Sequence, residues 1–198
     1  MKNLKLVVLT VVSITIFGCK GEKKDTTDQN NTPDKQETVT TEKVEKNETK
    51  TIEFNLEPKN DSNVAGKIIF TESEGMVNMI AELTGLEEGE HAIHIHEKAD
   101  CSSADGKSTG GHWNPTMEPH GKWGAKEGYH KGDIGNFKAD ENGNGALTFA
   151  TNEWCIGCED KRKNILGKAI IVHQGVDDFT SQPSGAAGSR ISCGGIIQ

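Results

Sequence analysis

Aromatic side chains are scarce in this chain of 198 residues, which has three Trp, one Tyr and six Phe. Glycine is plentiful, at 23. That balance argues against a helical bundle and suits a turn-rich β-domain. Positive charge is short as well. Lys and Arg total 22 against 30 Asp and Glu, a formal charge of −8. Phosphate backbones repel such a chain, so nucleic acid is a poor partner. Long hydrophobic runs are lacking too, and the one at the start is too short to span a bilayer comfortably as a helix. Cysteine is sparing, at five. Histidine is the residue that stands out: all seven lie between positions 91 and 173.

The chain starts on a short basic stretch, MKNLK, followed by the apolar LVVLTVVSITIFGC. That order reads as a secretory signal over residues 1–18. Its end, IFGC, resembles a bacterial lipobox. The resemblance implies lipidation of Cys19 as the first mature residue, and a lipoprotein of the cell envelope, periplasmic or on the outer membrane. Phe17 is bulkier than that motif usually carries. Simple secretion and a membrane-spanning anchor are the alternatives. Export leaves four cysteines, Cys101, Cys155, Cys158 and Cys193. An even number in an oxidising compartment reads as disulfides, with three pairings open.

Residues 19–50 follow the leader. Val39 and Val44 are their only large apolar side chains. Such a segment buries too little surface to offset its ordering entropy and reads as a disordered tether. As a flexible coil it spans about 30 Å. The folded domain is then expected over 51–198. TIEFNLEP, AGKIIFTES, MVNMIAELTGL and GEHAIHIHE read as strands, GDIGNFKADENGNGALTFATN as a hairpin, and LGKAIIVHQ and SRISCGGII as two more. Short strands with Gly and Asn turns indicate an antiparallel sandwich or barrel. Two long interruptions, about 98–131 and about 174–188, are expected to carry function.

Side chains alternate faces along a strand. In HAIHIHE, His94 and His96 therefore share one side, and a rigid strand can aim both at one metal ion. His91 faces the other way with Ile93 and Ile95, as a buried histidine hydrogen-bonded to backbone. His112, His120 and His130 fall in the first long interruption, with Asp133 three residues after His130. His173 ends an apolar strand. Six histidines and one carboxylate exceed one tetrahedral zinc and suit two metals with a shared ligand. Imidazole serves both zinc and copper, and a carboxylate fits zinc readily. No Cys–His–Met cluster of the blue-copper kind is present.

Together these features resemble the copper/zinc superoxide dismutase family over residues 52–198. HAIHIHE, GGHWNP, HKGDIGNF, AIIVHQGVDD and GAAGSRISCGGI follow its order and spacing. The resemblance implies an eight-stranded antiparallel Greek-key barrel or sandwich with two long functional loops. It implies an enzyme that converts two superoxide anions and two protons to dioxygen and hydrogen peroxide through a redox-cycling copper. His94, His96, His112 and His173 would bind copper. His112 would bridge to zinc, which His120, His130 and Asp133 would complete. Asp177 would hydrogen-bond His94 and His120. Arg190 would stand beside the open copper position, where a guanidinium can bind a small anion. Cys101 and Cys193 would form the family's disulfide. His91 matches a family histidine that is not a ligand.

The chain also departs from the family. Cys155-x-x-Cys158 is not a general feature of it. A small local disulfide or a soft-metal site are the two readings. A thioredoxin-like role lacks its βαβ context. Trp123 stands where the family is rich in Gly or Pro. The second interruption has no lysine before Arg190, which leaves Lys98, Lys126 or Lys131 to steer substrate. A copper-delivery module without turnover is the rival function, and a homodimer is a candidate assembly.

Overall fold

The computed structural model describes residues 48–198. The leader over 1–18, Cys19 and all but the end of the tether lie outside the described residues. Eight strands follow: β1 Lys50–Pro58, β2 Ala65–Ser73, β3 Met76–Thr84, β4 Gly89–His96, β5 Gly135–Ala139, β6 Gly145–Thr151, β7 Ala169–His173 and β8 Arg190–Gly195. They close into one barrel in the order β1-β2-β3-β6-β5-β4-β7-β8. Every paired neighbour is antiparallel. Closure leaves no strand edge to pair with another chain. The expected eight-stranded antiparallel barrel is therefore the observed fold.

The strand pattern explains where the core sits. Along β3, Val77, Met79, Ala81 and Leu83 are buried and their neighbours exposed. That is a strand with one wet face. β4 and β7 break the rule. All five residues of β7 are buried, and so is β4 from His91 onward. Ile93, Ile95, Ile170 and Val172 join the main core. Ala169, Ile171 and Cys193 form a second apolar cluster, with Cys101 of the following loop against it. Alternation is lost where loops roof the sheet, and the functional side chains lie under that roof.

Two long loops were expected, and the structure has both, over 97–134 and 174–189. A third long connection, 152–168, joins β6 to β7. It works as a plug. Its Trp154, Ile156 and Ile165 are buried in the main core. Trp154 packs against Phe70, Trp123 and Phe149, with ring centroids 6.1, 5.6 and 5.0 Å away. Trp123 thus fills space at this end of the barrel. Cys155 and Cys158 are bonded to each other within the plug. The local-disulfide reading fits. The soft-metal reading does not, because no free thiolate is left to bind.

The roof is fastened at several points. Cys101 is bonded to Cys193 of β8, across 92 residues of sequence. Lys59 Nζ donates to the Cys101 carbonyl at 2.6 Å, and Asn60 N–H to the Ala104 carbonyl at 2.9 Å. Replacing Cys101 and Cys193 by Ser is expected to lower unfolding stability by up to about 4–5 kcal/mol, the entropy of closing so long a loop. A urea titration followed by circular dichroism measures it. An unchanged midpoint would show that the bridge does not restrain the unfolded chain.

Candidate metal centre

His94 and His96 project from the outer side of β4, opposite Ile93 and Ile95. In the ladder they pair with Ile171 and Ala169 of β7. His173 ends β7 on the same side as Ala169 and Ile171. A register shift falls between Val172 and His173, and beyond it His173 pairs with Arg190 of β8. Such a bulge re-aims a side chain. His112 returns to the same place by backbone. Trp113 N–H donates to the Ile95 carbonyl at 2.8 Å, Ile95 N–H to Gly132 at 2.9 Å, and Gly132 N–H to Trp113 at 3.0 Å. Gly132 packs so tightly that a Cβ there would overlap the Ile95 carbonyl oxygen. His130 and Asp133 flank it.

The result is two overlapping groups of buried side chains. His94, His96, His112 and His173 form one, and His112, His120, His130 and Asp133 the other. Within each, one donor atom per residue lies within 4.8 Å of the rest. His112 belongs to both. Its Nδ1 is 2.8 Å from Asp133 Oδ1, while its Nε2 faces the first group with no partner.

Among the described residues, six buried ring nitrogens have no hydrogen-bond partner: His94 Nδ1, His96 Nε2, His112 Nε2, His120 Nδ1, His130 Nδ1 and His173 Nε2. Buried polar atoms are normally paired, so this set needs an explanation. The opposite ring nitrogens supply it. His94 Nε2 donates to Asp177 Oδ2 at 2.9 Å, His96 Nδ1 to the Gly110 carbonyl at 3.0 Å and His173 Nδ1 to the Gly188 carbonyl at 3.3 Å. His120 Nε2 donates to Asp177 Oδ1 at 2.9 Å. An acceptor on one side places the N–H there and leaves a lone pair on the other. His120 Nδ1 and His130 Nδ1 lie 3.0 and 3.2 Å from Asp133 oxygens, in contact but not aligned for a hydrogen bond. Lone pairs in each group converge, with one donor atom per residue within 4.8 Å of the rest. The donor set fits two metal ions sharing His112.

Electrostatics agree. Burial, followed by the neighbouring imidazoles, holds His96 and His173 well below the usual histidine range. Burial also takes His112 down to about 4, against the pull of Asp133. These rings stay neutral, the form that ligates metal. His120 is the opposite case. Burial lowers it, but Asp133 and Asp177 together outweigh that and raise it to about 9, so near neutral pH it carries a second proton that a metal ion must displace to use Nδ1. Burial pushes both carboxylates up, and their histidine partners more than reverse it, so each stays far below the usual range. Two ionised buried carboxylates call for a cation beside them.

Asp177 couples the groups, with one oxygen on His94 and the other on His120. It is held in turn. Asp177 N–H donates to Asn136 Oδ1 at 2.8 Å, Asn136 Nδ2 to the Asp177 carbonyl at 2.9 Å, and Phe179 N–H to Asp177 Oδ1 at 2.7 Å. Gln182 brackets His120, accepting its N–H at 2.9 Å and donating to its carbonyl at 2.8 Å. Asn136, Gln182 and Gly185 were not anticipated from the sequence. Only Gly185 carried a signal, in the glycine-rich GAAGS. His91 lies outside both groups, buried, with ring nitrogens 3.1 Å from the His173 carbonyl and 2.9 Å from the Glu87 carbonyl. Arg190 is half-buried near the first group, and its charge is felt at His96 and His173. Of the lysines proposed for steering, Lys131 is paired with Glu153 instead.

The family described as copper/zinc superoxide dismutase (SODC) matches residues 64–196. Superoxide dismutase [Cu-Zn] 2 of Aquifex aeolicus is 36% identical over 141 residues, 69% of this chain and 81% of the relative. The extracellular superoxide dismutase [Cu-Zn] of Drosophila melanogaster is 35% identical over 144 residues, 69% of this chain and 77% of the relative. Among solved structures, a SOD-like protein from Bacillus subtilis superposes with a TM-score of 0.65 at 27% identity, covering 73% of this chain and 97% of that one. The clock protein EA4 gives 0.64 at 31% identity, covering 76% and 96%.

Gly185 offers a direct test of the coupling. Its φ is +66°, and a Cβ there would overlap the Asp177 carboxylate and press on His120 Nε2. Gly185→Ala is expected to weaken metal binding about 10–100-fold, as loss of a ligand's supporting partner does. Competition with a chelator, followed by metal analysis, reads it. Wild-type affinity at both positions would show that Asp177 does not hold them.

Proposed function

The chain belongs to the copper/zinc superoxide dismutase family, and we propose that its two histidine groups divide as copper and zinc positions. It is an enzyme that dismutates superoxide to dioxygen and hydrogen peroxide, with copper and zinc as cofactors. In the proposed division, His94, His96, His112 and His173 hold copper, and His112, His120, His130 and Asp133 hold zinc. The observation that carries it is the set of unpartnered ring nitrogens, sorted into two groups that share one residue. The only carboxylate ligand falls in the second group, as zinc accepts readily. When bound, copper supplies the one-electron couple that oxidises one superoxide and reduces the next, while zinc supplies fixed charge.

The chain's own residues do the rest. β4 and β7 hold three imidazoles on a rigid ladder, so little must rearrange between turnovers. Asp177, Gly110 and Gly188 hold the outer N–H of His94, His96 and His173 and keep the inner lone pairs aimed. His112 Nε2 faces the first group while Nδ1 faces the second, so Nε2 is the atom that can hold a proton on the substrate side. Arg190 offers a cation at the mouth to attract and orient a small anion. The rival reading, delivery without turnover, is not favoured by relatives named as dismutases.

Two disulfides and relatives named as extracellular support export. We further propose lipidation at Cys19, with residues 19–50 as a tether to the cell envelope. Cys19→Ser is expected to move the protein from the membrane pellet to the soluble fraction. Persistence in the pellet would exclude lipidation as its attachment. Sedimentation of the soluble form reads monomer against homodimer.

The metal division is tested by single substitutions. His96→Ala should lose copper, keep zinc, and remove superoxide no faster than buffer. His130→Ala should lose zinc preferentially. Metal analysis and a superoxide assay measure both. Wild-type protein carrying full copper without superoxide removal would overturn the enzyme reading.

A further inference from the structure

Arg190 opens β8 opposite His173. Its guanidinium runs into the loop that follows β4. There Nη1 donates twice, to the Gly106 carbonyl at 2.9 Å and to Thr109 Oγ1 at 3.0 Å. The Thr109 hydroxyl donates to the same Gly106 carbonyl at 2.8 Å. The three polar atoms close a ring of hydrogen bonds, and every proton in it has an acceptor.

Thr109 is an unusual place for a hydroxyl. The residue is completely buried, at 0% exposure. Burial of a hydroxyl is tolerated only when it is paired, and this one is paired to the guanidinium and its carbonyl. Gly106 and Thr109 bracket a single 3-10 turn, Lys107–Thr109. The turn is tied to the metal-bearing strand: Lys98 N–H, two residues past His96, donates to the Thr109 carbonyl at 3.0 Å. A chain of short contacts thus runs from β4 through Thr109 to Arg190.

The remaining charge on Arg190 is left uncovered. Among the described residues it forms no salt bridge. Asp105, whose charge reaches it, is paired with Lys107 at 3.1 Å. Nη1 spends both its N–H groups on the loop, while Nε and Nη2 make no hydrogen bond among the described residues. A carboxylate clamp would also fix the guanidinium, but it would cancel the charge an incoming anion needs. A hydroxyl and a carbonyl fix it without doing so.

We infer that Thr109 is a positioning residue: its buried hydroxyl fixes the Arg190 guanidinium with Nη1 turned inward and its other N–H groups free for the superoxide anion. This rests on the reading of Arg190 as the anion-binding group.

The test compares metal-loaded wild type with Thr109→Val, Thr109→Ser, Arg190→Ile and the Thr109→Val/Arg190→Ile double variant. Three quantities are read: copper and zinc per chain, kcat/KM for superoxide, and the rate of phenylglyoxal modification at Arg190, mapped by mass spectrometry with and without metal. Thr109→Val should keep both metals, lose about three- to tenfold in kcat/KM, as the net loss of one ordinary hydrogen bond is worth, and react faster with phenylglyoxal. Thr109→Ser, which keeps the hydroxyl, should recover most of the rate. The double variant should match Arg190→Ile, because residues acting as a unit are not additive. Loss of metal in Thr109→Val, an unchanged phenylglyoxal rate, or an equal further loss in the Arg190→Ile background would each overturn the inference. Wild-type kcat/KM in Arg190→Ile would overturn instead the reading of Arg190.

Discussion

Among the described residues, six buried imidazole nitrogens find no partner within the protein, and they gather in two groups that share His112, around which the rest of the domain is organised. An unpaired buried polar atom costs free energy comparable to a lost hydrogen bond. Six together would be prohibitive in a domain whose net stability is only about 5–15 kcal/mol. The arrangement makes sense as half of a structure whose other half is ionic. The lone pairs are neither random nor solvent-facing. Each belongs to a ring whose opposite nitrogen is anchored, or to a ring set against Asp133, and they converge on two points that share His112. Bound ions would stabilise the folded chain by mass action, since the unfolded chain cannot gather the same ligands.

The barrel meets the precision this demands by using both faces of β4 and β7. On the inner face, Ile93, Ile95, Ile170 and Val172 lock the two strands into the core. On the outer face the same strands present His94, His96 and His173. A ligand on a strand packed on both sides has little room to move. The loop ligands lack that advantage and are tied down individually. Trp113 and Gly132 stitch the loop to Ile95, and Asp177 reaches from the second loop to His94 and His120 at once. Asp177 makes the two groups one unit, because displacing it would free a ring in each.

The legible part of this design was the part written at short range. Period-two alternation located the strands, and parity within HAIHIHE separated His91 from His94 and His96. Closure of the barrel and the ligand roles could be named only through the family's motif order. What stayed hidden depends on pairs far apart in sequence. Gln182 brackets His120 from 62 residues away, and Asn136 holds Asp177 across 41. Neither carries a local mark. The connection over 152–168 shows the converse failure. Only its CxxC pattern stands out in the sequence, yet Trp154, Ile156 and Ile165 carry it into the core. Three apolar side chains spaced through a polar segment have no period to betray them.

Thr109 belongs with the hidden residues, and its logic follows from charge. The domain is acidic and its substrate is an anion, so attraction must be local. The second loop contributes Asp177 and Asp178 but no lysine before Arg190. Lys131 is committed to Glu153 and Lys107 to Asp105. Arg190 forms no salt bridge among the described residues, and its charge reaches His96 and His173. A single cation serving this purpose must be held in place, because a guanidinium free to swing would find the nearest carboxylate. It must also be held by neutral partners, because an anionic one would take the charge intended for substrate. A buried hydroxyl and a backbone carbonyl meet both conditions, and Thr109 with Gly106 supplies that pair.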